Sequence, residues 1–278
     1  MSAPRSSPSL FGSAARILEL SLGQMLWSRR SVFLGLLLGL PVVIAGAIRT
    51  IDLLYRSGVN VNGVRIQGAT IFGLMVWGLY IRFIIPVLGV FFGTSLIADE
   101  VDDKTITYLF TRPIPRSAVL IGKYLAYLVC TVLLVLPSVM IVFFLIVPTA
   151  GGSIAAAFPS LIKDFGMLAV GLAAYGAVFA LVGTRIKRPL IVGLVFAFGW
   201  EPAVLIFPGY LKRLTVAYYM QALVTHEMPQ DSAVSLIMQV FREVPSVPVS
   251  LLALGVIVVG AVWLAGRTVE GKEYVLEQ

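Results

Sequence analysis

The sequence predicts an all-α polytopic membrane protein with six transmembrane helices, and three observations carry that prediction. Apolar residues make up 59% of the 278-residue chain and charged residues only 13%, against about 25% charged in an ordinary soluble domain. The mean hydropathy of +0.96 means more apolar surface than one soluble core of this length can hide. Several uncharged runs are also long enough to cross a hydrocarbon layer of about 30 Å. Runs of that length suit helices, which satisfy their own backbone, rather than barrel strands.

The elements follow in chain order. Residues 10–30, LFGSAARILELSLGQMLWSRR, place Ala14, Leu18, Leu22 and Met25 on one stripe, with Arg16 and Glu19 off it. This pattern predicts an amphipathic helix on the inner leaflet, with Trp27 at headgroup level and Arg29 and Arg30 facing anionic lipid. The alternative is an ordinary helix packed on protein. Six spans follow, at Ser31–Ile48, Ile71–Ala98, Tyr124–Val147, Phe165–Gly183, Leu190–Phe207 and Val249–Ala265. Between the first two, the Ser57-Gly58 and Asn62-Gly63 pairs predict a hairpin. After the fifth, the 208–248 loop carries YLKRLTVAYYMQALV and SAVSLIMQVFREV. Both read as short helices lying on the outer surface, in a small extracytoplasmic cap. No repeat of 20–50 residues is visible, so residues 1–278 read as one transmembrane domain.

Orientation follows from the loops. With the N terminus inside, thirteen of the 21 Lys and Arg residues fall in inner segments and seven in outer ones, with Arg82 inside span two. That bias predicts both termini in the cytoplasm of an inner or plasma membrane. The net charge of +7 is scattered in short clusters between apolar runs, which argues for topology and against nucleic acid. The first fifteen residues lack an apolar core followed by a cleavage site, so no secretory signal is expected.

Most catalytic chemistry is missing. Gly122-Lys123 and Gly271-Lys272 are not parts of a P-loop, because Tyr and Glu follow them and the upstream Gly is absent. His226 is the only histidine and Cys130 the only cysteine, too few for a metal site in that pair. The D-E-V-D-D run lacks the alternate spacing and the Gly of a calcium loop. The chain is therefore expected to carry no catalytic residue, cofactor or metal of its own.

Two charges stand inside the spans, where charge marks function by default. If Asp99 marks the inner boundary, Arg82 lies seventeen residues earlier. That is about 25 Å along a helix, close enough to the outer boundary to snorkel. Glu201 is thirteen residues past Arg188 and is followed by Pro202, which predicts a break in span five near Trp200-Glu201-Pro202. At that depth Glu201 needs a polar partner, for which Arg82 is a candidate. Gly35/Gly39 and Gly89/Gly93 form two G-x-x-x-G pairs, permitting close helix contact within the chain or between copies.

The densest charge is in residues 98–116, ADEVDDKTITYLFTRPIPR, where Asp99, Glu100, Asp102 and Asp103 fall within five positions. Topology alone favours Lys and Arg and does not call for four carboxylates. The pattern E-x(4)-T-x(3)-L-x(3)-P-x-x-R-x(6)-K-Y is met by Glu100, Thr105, Leu109, Pro113, Arg116, Lys123 and Tyr124. With six spans and an interfacial helix, it resembles the permease subunit of ABC-2 type ABC transporters. Lys104 stands where that family often has Gly. Trp200-Glu201 and LTVAYYMQAL are similar to the subgroup that includes the nitrous-oxide-reductase maturation permease.

The resemblance implies a permease homodimer, two separate ATPase subunits carrying ATP and Mg, and a short coupling helix in the cytoplasmic segment 99–118. Asp99, Glu100, Asp102 and Asp103 would face basic groups of the ATPase, with Thr105 and Pro113 belonging to the same motif. Tyr108, Leu109 and Phe110 would fill its groove. Arg116 and Lys123 would pin the next span to the headgroups. The function this implies is export or flipping of an amphipathic, lipid-like substrate. The alternatives are a stand-alone channel or ion-coupled carrier, or a complex doing mechanical work on an extracytoplasmic partner through the 208–248 cap.

Overall fold

A computed structural model describes residues 10–26, 29–55, 59–61, 64–97, 116–206, 210–224 and 245–271. In order, these form α1 (Leu10–Leu26), α2 (Arg29–Tyr55), β1 (Val59–Val61), β2 (Val64–Ile66) and α3 (Gly68–Ile97). Then come α4 (Arg116–Ile146), α5 (Ile154–Arg185), α6 (Pro189–Val204), α7 (Val216–Gln221) and α8 (Val247–Gly271).

Among the described residues, five helices are long and apolar enough to cross a membrane: α3, α4, α5, α8 and the Val32–Leu54 stretch of α2. The predicted fifth span, α6, is a shorter apolar helix. Its sixteen residues rise about 24 Å, and helix continues to Ile206, bringing it close to a bilayer's hydrocarbon thickness. The predicted starts of spans three and four are corrected toward the N terminus, because α4 begins at Arg116 and α5 at Ile154. The α5 start carries a helix-entry signal, since Ser153 accepts a hydrogen bond from the Ala156 amide at 3.4 Å. Ahead of α3, β1 and β2 pair antiparallel with Val61 opposite Val64, the hairpin the Asn62-Gly63 pair predicts.

The core lies where α3, α4 and α5 meet. Phe72, Tyr80, Tyr127, Phe143 and Phe179 are fully buried there. Polar handles on the aromatics join the helices: Tyr80 and Ser138 share a 2.8 Å hydrogen bond, and Ser138 donates to the Leu38 carbonyl at 3.0 Å. Tyr124 and Tyr127 on α4 donate to the Ala173 and Leu172 carbonyls of α5. The outer faces of α2 and α8 stay apolar and open, through Val32, Leu36 and Val43 on one and Leu252, Val256 and Val259 on the other. Helix α1 packs against α4, with Ser21 buried and Arg16, Glu19 and Leu20 outward. The predicted amphipathic stripe thus has a protein face to cover. A second, smaller cluster of Ile97, Leu120, Ala265 and Val269 ties the end of α3 and the start of α4 to α8.

Two helices depart from the regular four-residue ladder. In α3, Val76–Ile84 and Gly89–Gly93 are π-helical. Pro86 cannot donate to the Arg82 carbonyl, and just ahead of it the Ile85 amide donates five residues back, to Tyr80. In α6 the Phe196–Trp200 turn is π-helical, with the Glu201 amide donating to Phe196. The predicted break at Trp200-Glu201-Pro202 is therefore a change of register: helix resumes at Glu201–Ile206, where Pro202 sits in the first turn and needs no donor.

Candidate functional site

The two intramembrane charges of the sequence meet at one cavity. It is lined by Trp77, Ile81, Arg82 and Pro86 of α3, Tyr175 of α5, Ala197, Glu201 and Pro202 of α6, and Ala217 and Gln221 of α7, with Val224 beyond. Its volume of about 20 Å³ holds about one water molecule. Both charges sit at π-helical turns, which recur at functional sites because one extra residue re-aims the side chains around it.

Glu201 is 2% exposed, and its carboxylate is taken up by neighbouring elements. Tyr175 donates its hydroxyl to Oε2. The Val216 and Ala217 amides donate to Oε1 at 3.1 and 3.4 Å. The amides depend on Glu201 for a local reason. Thr215 precedes α7 as its cap residue but makes no side-chain cap. Its hydroxyl donates instead to the Lys212 carbonyl at 2.8 Å. The first turn of α7 therefore lacks its usual acceptor, and a carboxylate fifteen residues earlier supplies one with the charge a helix N-terminus favours.

The LTVAYYMQAL segment, expected in a cap, includes α7, which packs against the bundle. Thr215, Val216, Tyr218 and Met220 are buried, and α7 packs on α5 and α8. Met220 reaches Gly171, near the middle of α5. Lys212, itself buried, places its ammonium 5.8 Å from the Tyr218 ring.

Arg82 lies fourteen residues after Gly68 and fifteen before Ile97, midway along α3. Its guanidinium stands 5.2 Å from the centroid of the Trp77 ring, inside the cavity wall. The direct partners of Glu201 are Tyr175 and the α7 amides. Arg82 reaches both Glu201 and Tyr175 as a longer-range charge. Sequence reasoning found Arg82 and Glu201 and missed Tyr175, whose signal is a phenol in mid-span, where the hydroxyl must find a partner.

The other predicted residues divide. Asp99, Glu100, Asp102, Asp103, Thr105, Tyr108, Leu109, Phe110 and Pro113 lie outside the described residues, as do Trp27 and the SAVSLIMQVFREV segment. Arg116 opens α4 and Lys123 lies two turns into it, both half-buried. Arg29 and Arg30 begin α2, their side chains outside the described set. Among the described residues, no group of His, Cys, Asp and Glu could hold a metal ion.

The apolar helices and their buried polar joints define a multi-pass helical membrane protein. A family profile described as ABC-2 family transporter protein matches residues 15–265, and the chain belongs to that family. The family consists of transmembrane components of ABC transporters, which associate with an ABC ATPase subunit. No curated protein matches the chain.

Proposed function

We propose that the chain is the permease subunit of an ATP-driven exporter or flippase for an amphipathic, lipid-like substrate. It works as a homodimer with two ABC-type ATPase subunits, which hold the ATP and Mg. Each copy has six spans, α6 with its continuation being the fifth, and both termini are cytoplasmic, as the Lys and Arg bias favours. Segment 99–118 is the coupling element.

The observation that carries this reading is the pairing of family membership with a chain that has no P-loop but has an acidic motif, Asp99 to Asp103, between two apolar runs. The placement of the flanking residues supports it. Ile97 and Leu120 belong to a small apolar cluster with Ala265 and Val269. A push on the segment between them therefore reaches α3, α4 and α8 together. Interdigitated apolar contacts transmit displacement because packed interiors barely compress.

The test combines Glu100→Ala with Leu109→Asp in the full complex. The expected result is loss of ATPase co-purification, or of substrate-stimulated ATP hydrolysis. Unchanged assembly together with unchanged stimulation would sink the coupling role.

A further inference from the structure

Helix α8 carries one continuous outward stripe. Leu252, Val256, Val259 and Trp263 are between 53 and 71% exposed, and their spacing of three and four residues puts them on one face. Arg267 is exposed at the next position of the same stripe. From Val256 to Arg267 is eleven residues, a rise of about 16 Å. That is about half of a hydrocarbon layer of about 30 Å. The stripe is thus an apolar track one leaflet deep, closed by a cation. The Arg267 guanidinium stands 4.2 Å from the centroid of the Trp263 ring, and a guanidinium stacked on an aromatic face keeps its in-plane donors free for a planar fork. Thr268, the next residue, accepts from Arg185 Nε at 3.4 Å, which joins the last residue of α5 to α8. Lys187 and Arg188, both exposed, follow in the turn into α6. Residues 181–190 and 262–271 hold these four cations against one acid, Glu270.

We propose that α8 and the α5–α6 turn form a site for one anionic phospholipid. A tail lies along Val256, Val259 and Trp263, and the phosphate is held by Arg267 and Arg185. Arginine forks bind phosphate in pairs of parallel bonds, and an indole at the end of an apolar track belongs at headgroup level. Topology alone calls for cations near the membrane surface. It does not call for an arginine stacked at the end of an exposed apolar stripe, with a second arginine drawn to the adjoining residue. The site rests on the membrane-spanning reading and needs neither ATPase nor transported substrate, so failure of the coupling role leaves it standing.

Trp263 is the reporter of its own site. Trp27→Phe, Trp77→Phe and Trp200→Phe together leave it as the only tryptophan of the full chain. In phosphatidylcholine vesicles its fluorescence is titrated with brominated phosphatidylglycerol and, separately, with brominated phosphatidylcholine. Phosphatidylglycerol is expected to quench at about fivefold lower mole fraction. Arg185→Gln with Arg267→Gln should bring the two lipids within about twofold of each other. Lys163→Gln with Arg213→Gln removes the same charge from exposed positions far from Arg185 along α5 and beyond the far end of α6, and should leave the preference intact. Equal quenching by the two lipids in the reporter chain overturns the site. So does a preference that survives loss of both arginines, or one lost equally in the Lys163 and Arg213 control, which would be the pull of net charge alone. Quenching by neither lipid means that protein covers the stripe, and also overturns it. Where the three phenylalanines prevent folding, the difference between the chain and its Trp263→Phe variant reads the same signal.

Discussion

Gly176 on α5 is the socket for the Tyr127 ring of α4. A Cβ at Gly176 would overlap the Tyr127 ring, and the Tyr127 hydroxyl donates to the Leu172 carbonyl one turn back at 3.0 Å. Tyr127 is fully buried, so its ring has nowhere to retreat. Gly176→Ala is expected to destabilise the fold by about 1–3 kcal/mol through overpacking. Tyr127→Phe, which removes only the hydroxyl, should cost about 1 kcal/mol. Combining Gly176→Ala with Tyr127→Leu should cost less than the two singles added, because the smaller side chain makes room for the methyl. Thermal unfolding in detergent measures all four.

The two G-x-x-x-G pairs separate cleanly in the structure. A Cβ at Gly89 would stand 2.8 Å from Tyr175 Cβ, and one at Gly93 would stand 3.0 Å from the Gly176 carbonyl oxygen. Gly35 and Gly39 have nothing within 4 Å. Alanine at Gly89 or Gly93 should therefore lower stability by about 1–3 kcal/mol, while alanine at Gly35 or Gly39 should stay within about 0.5 kcal/mol. The same unfolding assay reads the contrast. A loss at Gly35 equal to that at Gly89 would contradict the placement of α2.

Both glycine pairs look identical in the sequence, and that shows where legibility ends. Long uncharged runs gave away α2, α3, α4, α5 and α8, because a bilayer constrains composition over some twenty residues at once. The Asn62-Gly63 pair gave away the hairpin, because it sets its own geometry. The packing of α7 left no such trace: VAYYMQ reads the same whether it lies on the bundle or is packed within it. Glu201 and Pro202 marked their own position, but the partner, Tyr175, is 26 residues away on another helix. Nothing local to either residue records that meeting.

Ser138 joins three helices with one hydroxyl, sharing a bond with Tyr80 and donating to Leu38. Tyr80 is fully buried and Ser138 nearly so. Ser138→Ala leaves the Tyr80 hydroxyl without water or partner, a cost of about 1–3 kcal/mol. Tyr80→Phe removes the other half, and the double variant should cost less than the sum, since no orphan donor remains. A strictly additive denaturation series would mean that the two hydroxyls do not act as a pair.

Glu201→Ala and Glu201→Gln should differ in stability. Alanine strands the Tyr175 hydroxyl and the Val216 and Ala217 amides, at about 1–3 kcal/mol for each group left dry. Glutamine keeps a carbonyl oxygen for the amides and an amide group that can donate to the Tyr175 oxygen, so about 1 kcal/mol is expected. Protease protection of the 210–224 segment gives a local readout beside the melting temperature. It should fall in Glu201→Ala and largely persist in Glu201→Gln.

The small cluster of Ile97, Leu120, Ala265 and Val269 is separate from the main core, which sets up a comparison between two leucines of equal burial. Leu88 lies in the main core at 0% exposure and Leu120 in the small cluster at 1%. Truncating a buried leucine costs about 2–5 kcal/mol where the whole structure must hold it. Leu88→Ala should therefore lower the global melting temperature sharply. Leu120→Ala opens a region that can loosen by itself, so its melting temperature should move less. If the 99–118 segment drives the spans through this cluster, Leu120→Ala should instead weaken the stimulation of ATP hydrolysis by substrate in the full complex, more than Leu88→Ala does at a temperature where both are folded. Equal effects of the two variants on both readouts would show that the cluster is only another part of the core.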